Sequence, residues 1–155
     1  MRNLPKYLLL FVLLVAGSAC DSSSNNDSND ADVFVGTWSL GGISDASGDR
    51  TAAFVEGFNS VAIGFESDSG FSLVVDAVLN EADANYSGDY TIIESTSTVS
   101  VSILVGEQAF PLVFTYNIAN ESQINLTASG TTAVLLATLF NTSLSAPVTI
   151  TLVKG

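Results

Sequence analysis

Apolar and polar residues alternate one by one along most of the chain from residue 33 to residue 155. In SVAIGFES, for example, Val61, Ile63 and Phe65 fall on one side of an extended chain, with small or polar residues between them. Successive side chains of a β-strand point to opposite faces, so a period of two predicts a strand with one buried face. Eight segments show this pattern: VFVGTWSL, SVAIGFES, FSLVVDAVL, YSGDYTII, STVSVSILV, PLVFTYNI, QINLTA and APVTITLVK.

The order of these segments predicts a single all-β domain over residues 33–155. Most of the segments are joined by short turns, which favours a meandering antiparallel sheet. Strands with one apolar face leave two open edges unless the sheet closes on itself or packs against a second sheet. We therefore expect an antiparallel up-and-down barrel of about eight strands, with a β-sandwich as the alternative.

Two predictions concern particular residues of these strands. Phe34 and Trp38 are expected to share the buried face of the first strand, because they are four positions apart and every second residue of a strand faces the same side. Between the second and third segments, Asp68-Ser69-Gly70 has the composition of a hairpin turn. Gly70 is expected to take the left-handed conformation in that turn.

Two stretches interrupt the alternation. Residues 41–59 form a long first connection, in which a short helical turn is expected from Ala52 to Glu56. Residues 131–141, TTAVLLATLFN, are a continuous apolar run whose threonines can cap a helix. A short helix that closes one end of the barrel is the favoured interpretation of this run, and a ninth strand is the alternative.

The amino-terminal residues have the pattern of an export signal. A basic start, MRNLPK, precedes YLLLFVLLVA, which is uncharged and almost wholly apolar. Ten to twelve residues with a rise of about 1.5 Å each cannot cross a hydrocarbon core of roughly 30 Å. The small residues Gly17-Ser18-Ala19 and then Cys20, the only cysteine of the chain, follow. With that cysteine in place, the segment resembles a bacterial lipoprotein signal.

This resemblance implies a lipid anchor. Residues 1–19 would be the signal peptide, and Cys20 would become the lipidated first residue of the mature chain. The alternative is cleavage by ordinary signal peptidase, which would leave Cys20 as a free thiol. Residues 20–32 are expected to comprise the lipidated cysteine and a disordered acidic Ser/Asn tether. The implied location is the bacterial cell envelope, lipid-anchored to a membrane, with the outer membrane favoured.

The charge of the mature chain bears on its partners. Loss of residues 1–19 leaves two basic side chains, Arg50 and Lys154, against sixteen acidic ones, a formal charge of −14. Such a chain repels the phosphates of nucleic acids and of anionic lipid headgroups. We therefore expect no nucleic-acid partner, and membrane contact only through the anchor at Cys20.

The start of the predicted barrel, FVGTWSL, resembles the opening of the lipocalins, in which a Gly-x-Trp motif lies on the first strand. The resemblance implies that Gly36 and Trp38 form a barrel-closing motif, with the indole packed across one end of a lipocalin-like barrel. No arginine is present on the last strand to stack on the indole, and Lys154, the nearest cation, ends that strand. The ligand positions of the family are therefore carried over no further than Trp38.

Candidate catalytic and metal-binding groups are few. The chain has no histidine and its sole cysteine precedes the domain, so the familiar nucleophile systems and Cys/His zinc sites cannot form. Asp76, Asp89 and Glu94 could supply the carboxylate pair of a hydrolase, but solvated strand faces explain Asp76 and Asp89 better. Residues 45–49, DASGD, lack the spacing of a known calcium loop, so a polar turn is expected. We predict a protein without enzymatic activity, cofactor or metal.

Two functions are consistent with this sequence. In the first, the envelope-anchored barrel binds a small hydrophobic ligand, and the scarcity of cations predicts that the ligand is neutral. In the second, the interior is fully packed and the lipoprotein has a structural or protein-interaction role without a ligand. The large residues able to fill the interior are Phe65, Phe71, Tyr90, Phe114 and Tyr116.

Overall fold

The computed structural model describes residues 29–77 and 83–155. These residues form nine strands: β1 (Gly36–Asp45), β2 (Gly48–Asp49), β3 (Phe58–Phe65), β4 (Gly70–Ala77), β5 (Ala84–Ile93), β6 (Thr98–Val105), β7 (Gln108–Asn120), β8 (Gln123–Ala128) and β9 (Val148–Lys154). They also form the helices α1 (Asp30–Phe34), α2 (Thr51–Val55) and α3 (Gly130–Leu139), and a 3-10 turn at Glu94–Thr96.

Eight of these strands close into an antiparallel barrel. Strand β1 pairs with β3, and each strand from β3 to β8 pairs with the one that follows it. The last strand, β9, pairs with β1 and closes the barrel. β2 pairs only with the end of β1 and lies outside the barrel. The up-and-down barrel predicted from the alternation is therefore confirmed, and the β-sandwich alternative is wrong. Closure removes both open edges, which explains how one apolar face suffices for the fold.

The buried face of the barrel is the one that the alternation predicted. Val61, Ile63 and Phe65 of β3 are buried, and the matching residues of the other strands form one core with them. Val105, at the end of β6, is an exception because 38 % of it is exposed. Leu79, expected at the end of the third segment, lies outside the described residues.

The first strand begins later than predicted. Phe34 belongs to α1 and not to β1, although it is buried as expected. The helix forms because the Asn29 side chain accepts a hydrogen bond from the backbone N–H of Ala31, at 3.0 Å, and because the Phe34 ring inserts into the core. The disordered tether predicted over residues 20–32 is therefore too long by Asp30–Asp32, which are helical. Residues 20–28 of that tether lie outside the described residues.

The connection predicted over residues 41–59 is shorter than expected. β1 continues to Asp45, with a register shift between Leu40 and Gly42 where it pairs with β9. This bulge inserts one residue and moves Ile43 to the buried face, which breaks the simple alternation that the prediction required. The helical turn expected near Ala52 is confirmed as α2.

The hairpin between β3 and β4 forms where predicted, but Gly70 does not take the left-handed conformation. Ser69 does, with φ of 72°, and Gly70 is the first residue of β4. The turn closes through hydrogen bonds from Ser69 N–H to Glu66 O and from Glu66 N–H to Gly70 O. Gly70 N–H also donates to the Asp68 carboxylate, at 3.1 Å, and the left-handed residue of the turn is Ser69.

The apolar run at residues 131–141 is a helix, as favoured, and not a ninth barrel strand. α3 lies beside β7, where Thr132 Oγ1 accepts a hydrogen bond from Val113 N–H at 3.1 Å. The pairing of β7 with β8 ends at Phe114 and Ala128, so β7 extends beyond its neighbour here. The helix thus covers an edge that β8 leaves open, and its residues Ala133 and Leu136 are buried. We call this end of the barrel the α3 end and the opposite one the α1 end.

Candidate functional site

The α1 end of the barrel is closed around Trp38, which is fully buried. The indole Nε1–H donates a 2.6 Å hydrogen bond to the carbonyl oxygen of Phe34 in α1. The Lys154 ammonium lies 5.2 Å from the centre of the indole ring and 3.4 Å from the carbonyl oxygen of Val33. Gly36 has φ of 135°, and a Cβ there would lie 3.1 Å from the Lys154 side chain. Trp38 therefore holds α1 on the barrel end through this hydrogen bond, and neither Gly36 nor Trp38 lines the recess or the groove described below.

Aromatic rings fill the space beneath α1. The Phe34 ring meets Phe65 and Tyr116 edge to face, with ring centres 5.1 Å apart in both pairs. Phe65 in turn contacts Tyr90, at 5.0 Å between ring centres. The Tyr116 hydroxyl donates a 2.6 Å hydrogen bond to the Asp30 carboxylate. This end of the barrel is packed with aromatic side chains, and Phe65, Tyr90 and Tyr116 are among the large residues named from the sequence as able to fill the interior.

The Tyr116 hydroxyl is held in its protonated form. Burial is the largest cause that raises the pKa of Tyr116, and the hydrogen bond to the Asp30 carboxylate raises it further. A phenol that donates to a carboxylate must keep its proton, so the bond from Tyr116 to α1 is intact throughout the neutral range.

At the α3 end, three phenylalanines form a second cluster. The Phe54 ring lies 4.8 Å from the Phe58 ring and 4.9 Å from the Phe140 ring, centre to centre. Phe54 belongs to α2, whereas Phe140 follows the last residue of α3. None of these three phenylalanines is predicted from the sequence, because they lie in the two stretches without alternation.

Beside this cluster, an apolar recess opens between α3 and the hairpin of β6 and β7. Its volume is about 150 Å³. Three of its residues come from the hairpin and three from the helix: Val105, Phe110, Leu112, Leu135, Thr138 and Leu139. The hydroxyl of Thr138 donates to the carbonyl oxygen of Val134 at 3.0 Å, so the one polar side chain of the lining already has a partner.

This recess suits a small uncharged apolar molecule. A closed apolar cavity of about 150 Å³ can take up benzene or xenon, so the volume of the recess matches one molecule of that size. None of the six lining side chains is charged, and none could pair with a charged ligand. The alternation predicted that Leu112 faces inward, but the three helical residues of the lining were not predicted.

A larger groove lies beside α1, with a volume of about 330 Å³. Ser67, Ser69, Thr91 and the Asp32 carboxylate contribute to its lining, together with Tyr90. Water solvates such hydroxyl and carboxylate groups well, so the groove is less suited to an apolar molecule than the recess.

The three carboxylates considered for catalysis are not brought together. Asp89 pairs with Gly70 at one end of β4, and Asp76 lies six residues further along that strand. At about 3.3 Å per residue, the distance is on the order of 20 Å, whereas glycosidase pairs need about 5 to 10 Å. Asp76 accepts a hydrogen bond from Asn59 Nδ2, and Glu94 is exposed at the end of β5.

Residues 45–49 form the polar turn expected from the sequence. The Asp45 carboxylate accepts hydrogen bonds from Ser47 N–H, at 2.7 Å, and from Ser145 N–H, at 3.0 Å. It also pairs with Arg50 Nε at 3.2 Å. The hydrogen bond from Ser145 is the main cause that lowers the pKa of Asp45, with Ser47 and Arg50 acting in the same direction. Within residues 29–77 and 83–155, no group of three His, Cys, Asp or Glu side chains could hold a metal ion.

Cys20, the predicted lipidation site, lies outside the described residues. In the part of the chain that is described, no helix has the length and apolar character needed to cross a bilayer. A scan against protein-family models finds no match to this chain, and a search of curated proteins finds no similar sequence.

Proposed function

We propose that the chain is an envelope-anchored lipoprotein whose barrel holds a small, neutral, apolar molecule in the recess beneath α3. The wholly uncharged lining of that recess carries the proposal. Burial of an apolar molecule there gains about 25 cal/mol for each Å² of apolar surface removed from water. No polar side chain of the lining loses a hydrogen-bond partner when the molecule binds, because the Thr138 hydroxyl donates to a carbonyl oxygen of its own helix.

The volume of the recess limits what it holds. About 150 Å³ accommodates one aromatic ring or a short branched hydrocarbon, whereas sites for drug-sized ligands span about 300 to 1,000 Å³. Val105, at the rim, is 38 % exposed, so a longer molecule can place one end in the recess and extend into solvent past this residue.

The positions of the cations support a neutral ligand. Within the described residues the two basic side chains are Arg50 and Lys154. Arg50 pairs with Asp45, and Lys154 lies over Trp38 at the opposite end of the barrel. Neither is part of the recess lining, so a ligand carboxylate would be buried without a partner.

Anchoring through Cys20 is the second half of the proposal. It is supported by the basic start, the short apolar core and the lone cysteine of residues 1–20. The tether would join the barrel at α1, so the recess beneath α3 would open at the end away from the membrane. A Cys20→Ser variant is expected to leave the membrane fraction and to lose incorporation of labelled fatty acid. Retention of the label would contradict the assignment.

Binding is tested with toluene on the chain from Asp21 onward, which keeps every described residue, purified without detergent. Isothermal titration calorimetry and methyl NMR should both detect toluene, and neither should detect benzoate. Leu135→Trp, which fills the recess, should abolish the signal. Val134→Trp is the matched control, since Val134 is 65 % exposed on the same helix and does not line the recess. Equal toluene binding by both variants would refute the site.

A packed barrel without a ligand is the second candidate, and it is supported by the aromatic side chains packed at both ends. Phe34 and Trp38 have no exposed surface, and the Phe54 cluster occupies part of the α3 end. In that case toluene should not bind, and Leu135→Phe should stabilise the fold by filling a void. Native mass spectrometry of protein taken from its own envelope separates the two candidates, because a mass excess lost on denaturation identifies a bound molecule.

A further inference from the structure

Two adjoining cavities lie at the α3 end of the barrel, between α2 and the segment that follows α3. The first has a volume of about 220 Å³ and is lined by Arg50, Ala53, Phe54, Thr142, Ser143 and Leu144. The second, of about 170 Å³, shares Ala53, Phe54 and Thr142 with the first and extends to Phe58 and Phe140. We call the two cavities together the α2 groove. It shares no residue with the recess beneath α3.

The polar end of the α2 groove is rich in hydrogen-bond donors. Arg50 bonds to Asp45 through Nε alone, at 3.2 Å, and its two Nη nitrogens have no hydrogen-bond partner within the described residues. These nitrogens carry four of the five N–H donors of a guanidinium. The hydroxyls of Thr142 and Ser143 line the same cavity. In the described part of the chain no buried side-chain nitrogen or oxygen lacks a partner, so the Nη groups are open to solvent.

The guanidinium is held in position before any ligand arrives. The Asp45 side chain has no exposed surface, and its carboxylate accepts hydrogen bonds from Ser47 N–H and Ser145 N–H as well as from Arg50 Nε. Asp45 therefore ties Arg50, on one wall of the groove, to the backbone that continues the other wall past Leu144. Donors fixed in this way lose little conformational freedom when a ligand binds, which favours binding.

The other end of the α2 groove is aromatic. The Phe54 ring lies 4.8 Å from the Phe58 ring and 4.9 Å from the Phe140 ring, centre to centre. Leu144, which packs against the core, borders the first cavity. These side chains offer an apolar surface to a ring or a branched alkyl group. The groove thus combines donors at one end with an apolar surface at the other.

Charge determines which ligand suits this combination. Asp45 already neutralises Arg50, and the chain has a formal charge of −12, so an anion gains little here. A cation would lie beside the guanidinium, and among the described residues no Asp or Glu lines the groove. An uncharged oxygen acceptor avoids both costs, and hydrogen bonds from a charged donor are stronger than those from a neutral one.

We propose that the α2 groove binds an uncharged carbonyl compound. Its carbonyl oxygen accepts hydrogen bonds from the Nη groups of Arg50, and its ring or branched chain lies against Phe54. The two cavities together reach the lower end of the roughly 300 to 1,000 Å³ of small-molecule sites, which leaves room for one carbonyl group and one attached ring. This site is separate from the recess, whose lining has no free donor, and does not depend on the anchor at Cys20.

The test uses the chain from Asp21 onward, in which Arg50 is the only arginine. Labelling arginine with ¹⁵N gives an NMR spectrum of this one side chain, and its Nε–H signal reports on the α2 groove. N-benzylacetamide, which is neutral and joins one carbonyl group to one ring, should shift the signal saturably at millimolar concentrations. Toluene, which lacks the carbonyl group, should leave the signal in place. Phenylacetate, an anion, should bind about tenfold more weakly than the amide.

Variants of α2 locate the binding. Ala53→Trp fills both cavities from an exposed position and should abolish the shift. Ala52→Trp is the matched control, because Ala52 is exposed on the same helix and lines neither cavity. Arg50→Lys keeps a cation beside Asp45 but removes the planar pair of Nη donors. It should weaken binding about tenfold, followed by the backbone signals of α2.

Three results would overturn the proposal: an arginine signal of the wild type that does not move, equal binding by the two tryptophan variants, or tighter binding of phenylacetate than of the amide. Leu135→Trp, which fills the recess beneath α3, should bind N-benzylacetamide like the wild type. Loss of amide binding in that variant would also overturn the proposal, because it would place the amide in the recess. The outcome for the α2 groove is thereby kept apart from that of the toluene site.

Discussion

The Lys154 ammonium lies 5.2 Å from the centre of the Trp38 ring, directly across the β1–β9 pairing that closes the barrel. The same ammonium lies 3.4 Å from the carbonyl oxygen of Val33 in α1. One side chain at the end of the last strand therefore joins the first strand and the helix over the barrel end. The indole N–H completes this arrangement through its bond to Phe34.

Lys154→Met should reduce the free energy of unfolding by about 0.5 to 1 kcal/mol, the usual strength of an exposed cation–π contact. Methionine keeps an apolar stem over the indole but removes the ammonium. Lys154→Arg should retain most of the stability, because a guanidinium also stacks on an aromatic face. Urea unfolding followed by the fluorescence of Trp38, the only tryptophan, measures both variants. If the methionine variant is as stable as the arginine variant, the contact contributes nothing.

Trp38 is predictable from the sequence, but no role for Lys154 follows from it, because this lysine ends its strand. The role depends on α1, whose carbonyl groups lie above the barrel end. The segment DADVF has no apolar period from which a five-residue helix could be recognised. The Phe34 ring and the hydrogen bond from Tyr116 to Asp30 hold this helix in place, and both contacts are made with barrel residues that are distant in the sequence.

Alternation predicted most strands and the barrel because each strand has one buried face throughout its length. It failed at Ile43, because the bulge near Gly42 shifts the period by one residue. It also could not place the recess. Leu112 faces inward by its position on β7, but Leu135 and Leu139 reach the recess only through the docking of α3 beside that strand.

Gly88→Ala should destabilise the barrel by about 3 kcal/mol or more, at the upper end of the cost of overpacking. Gly88 pairs with Ile103, and a Cβ at residue 88 would collide with the backbone carbonyl of Ser102. Neither strand can retreat without breaking its hydrogen bonds to the next. Gly57→Ala is the matched control, because a Cβ at residue 57 would lie an ordinary 3.5 Å from its nearest neighbour, the carbonyl oxygen of Phe54. Similar urea midpoints for the two variants would show that the strands can separate at this point.

The Asp45 carboxylate should support the fold above about pH 4 and lose that effect in acid. Its pKa is lowered in the folded state, first by the hydrogen bond from Ser145 and also by Ser47 and Arg50. A lowered folded pKa means a stabilisation that is present above the unfolded value and lost as the pH falls through the folded one.

The test compares urea unfolding of the wild type and Asp45→Asn from pH 2 to pH 7. The stability difference between the two should shrink toward the acid end. Asp89→Asn, which removes an exposed carboxylate from the outer face of β5, corrects for the loss of one negative charge. If the stability difference between the two proteins does not change with pH, the hydrogen bonds to Asp45 stabilise its protonated and its charged form equally.

Tyr116 should stabilise the barrel fully up to about pH 10, and this stabilisation should decrease as the pH rises further. Burial is the largest cause of its raised pKa, and the hydrogen bond to Asp30 is the next. A raised folded pKa gives a stabilisation that is complete below the unfolded pKa and is lost as the pH rises through the folded one. The wild type should therefore lose stability between pH 10 and pH 12 relative to Tyr116→Phe, which cannot ionise.

At neutral pH the wild type should be the more stable of the two proteins. Tyr116→Phe leaves the Asp30 carboxylate without its 2.6 Å donor and should cost about 1.5 to 3 kcal/mol, the usual range for a hydrogen bond to a charged group. Tyr86→Phe is a control for removing a tyrosine hydroxyl from a barrel strand, since Tyr86 is only partly buried, on β5. Guanidinium unfolding across pH 7 to 12 compares the three proteins. If the curves of the wild type and Tyr116→Phe do not converge above pH 10, ionisation of Tyr116 does not oppose the closure of the barrel by α1.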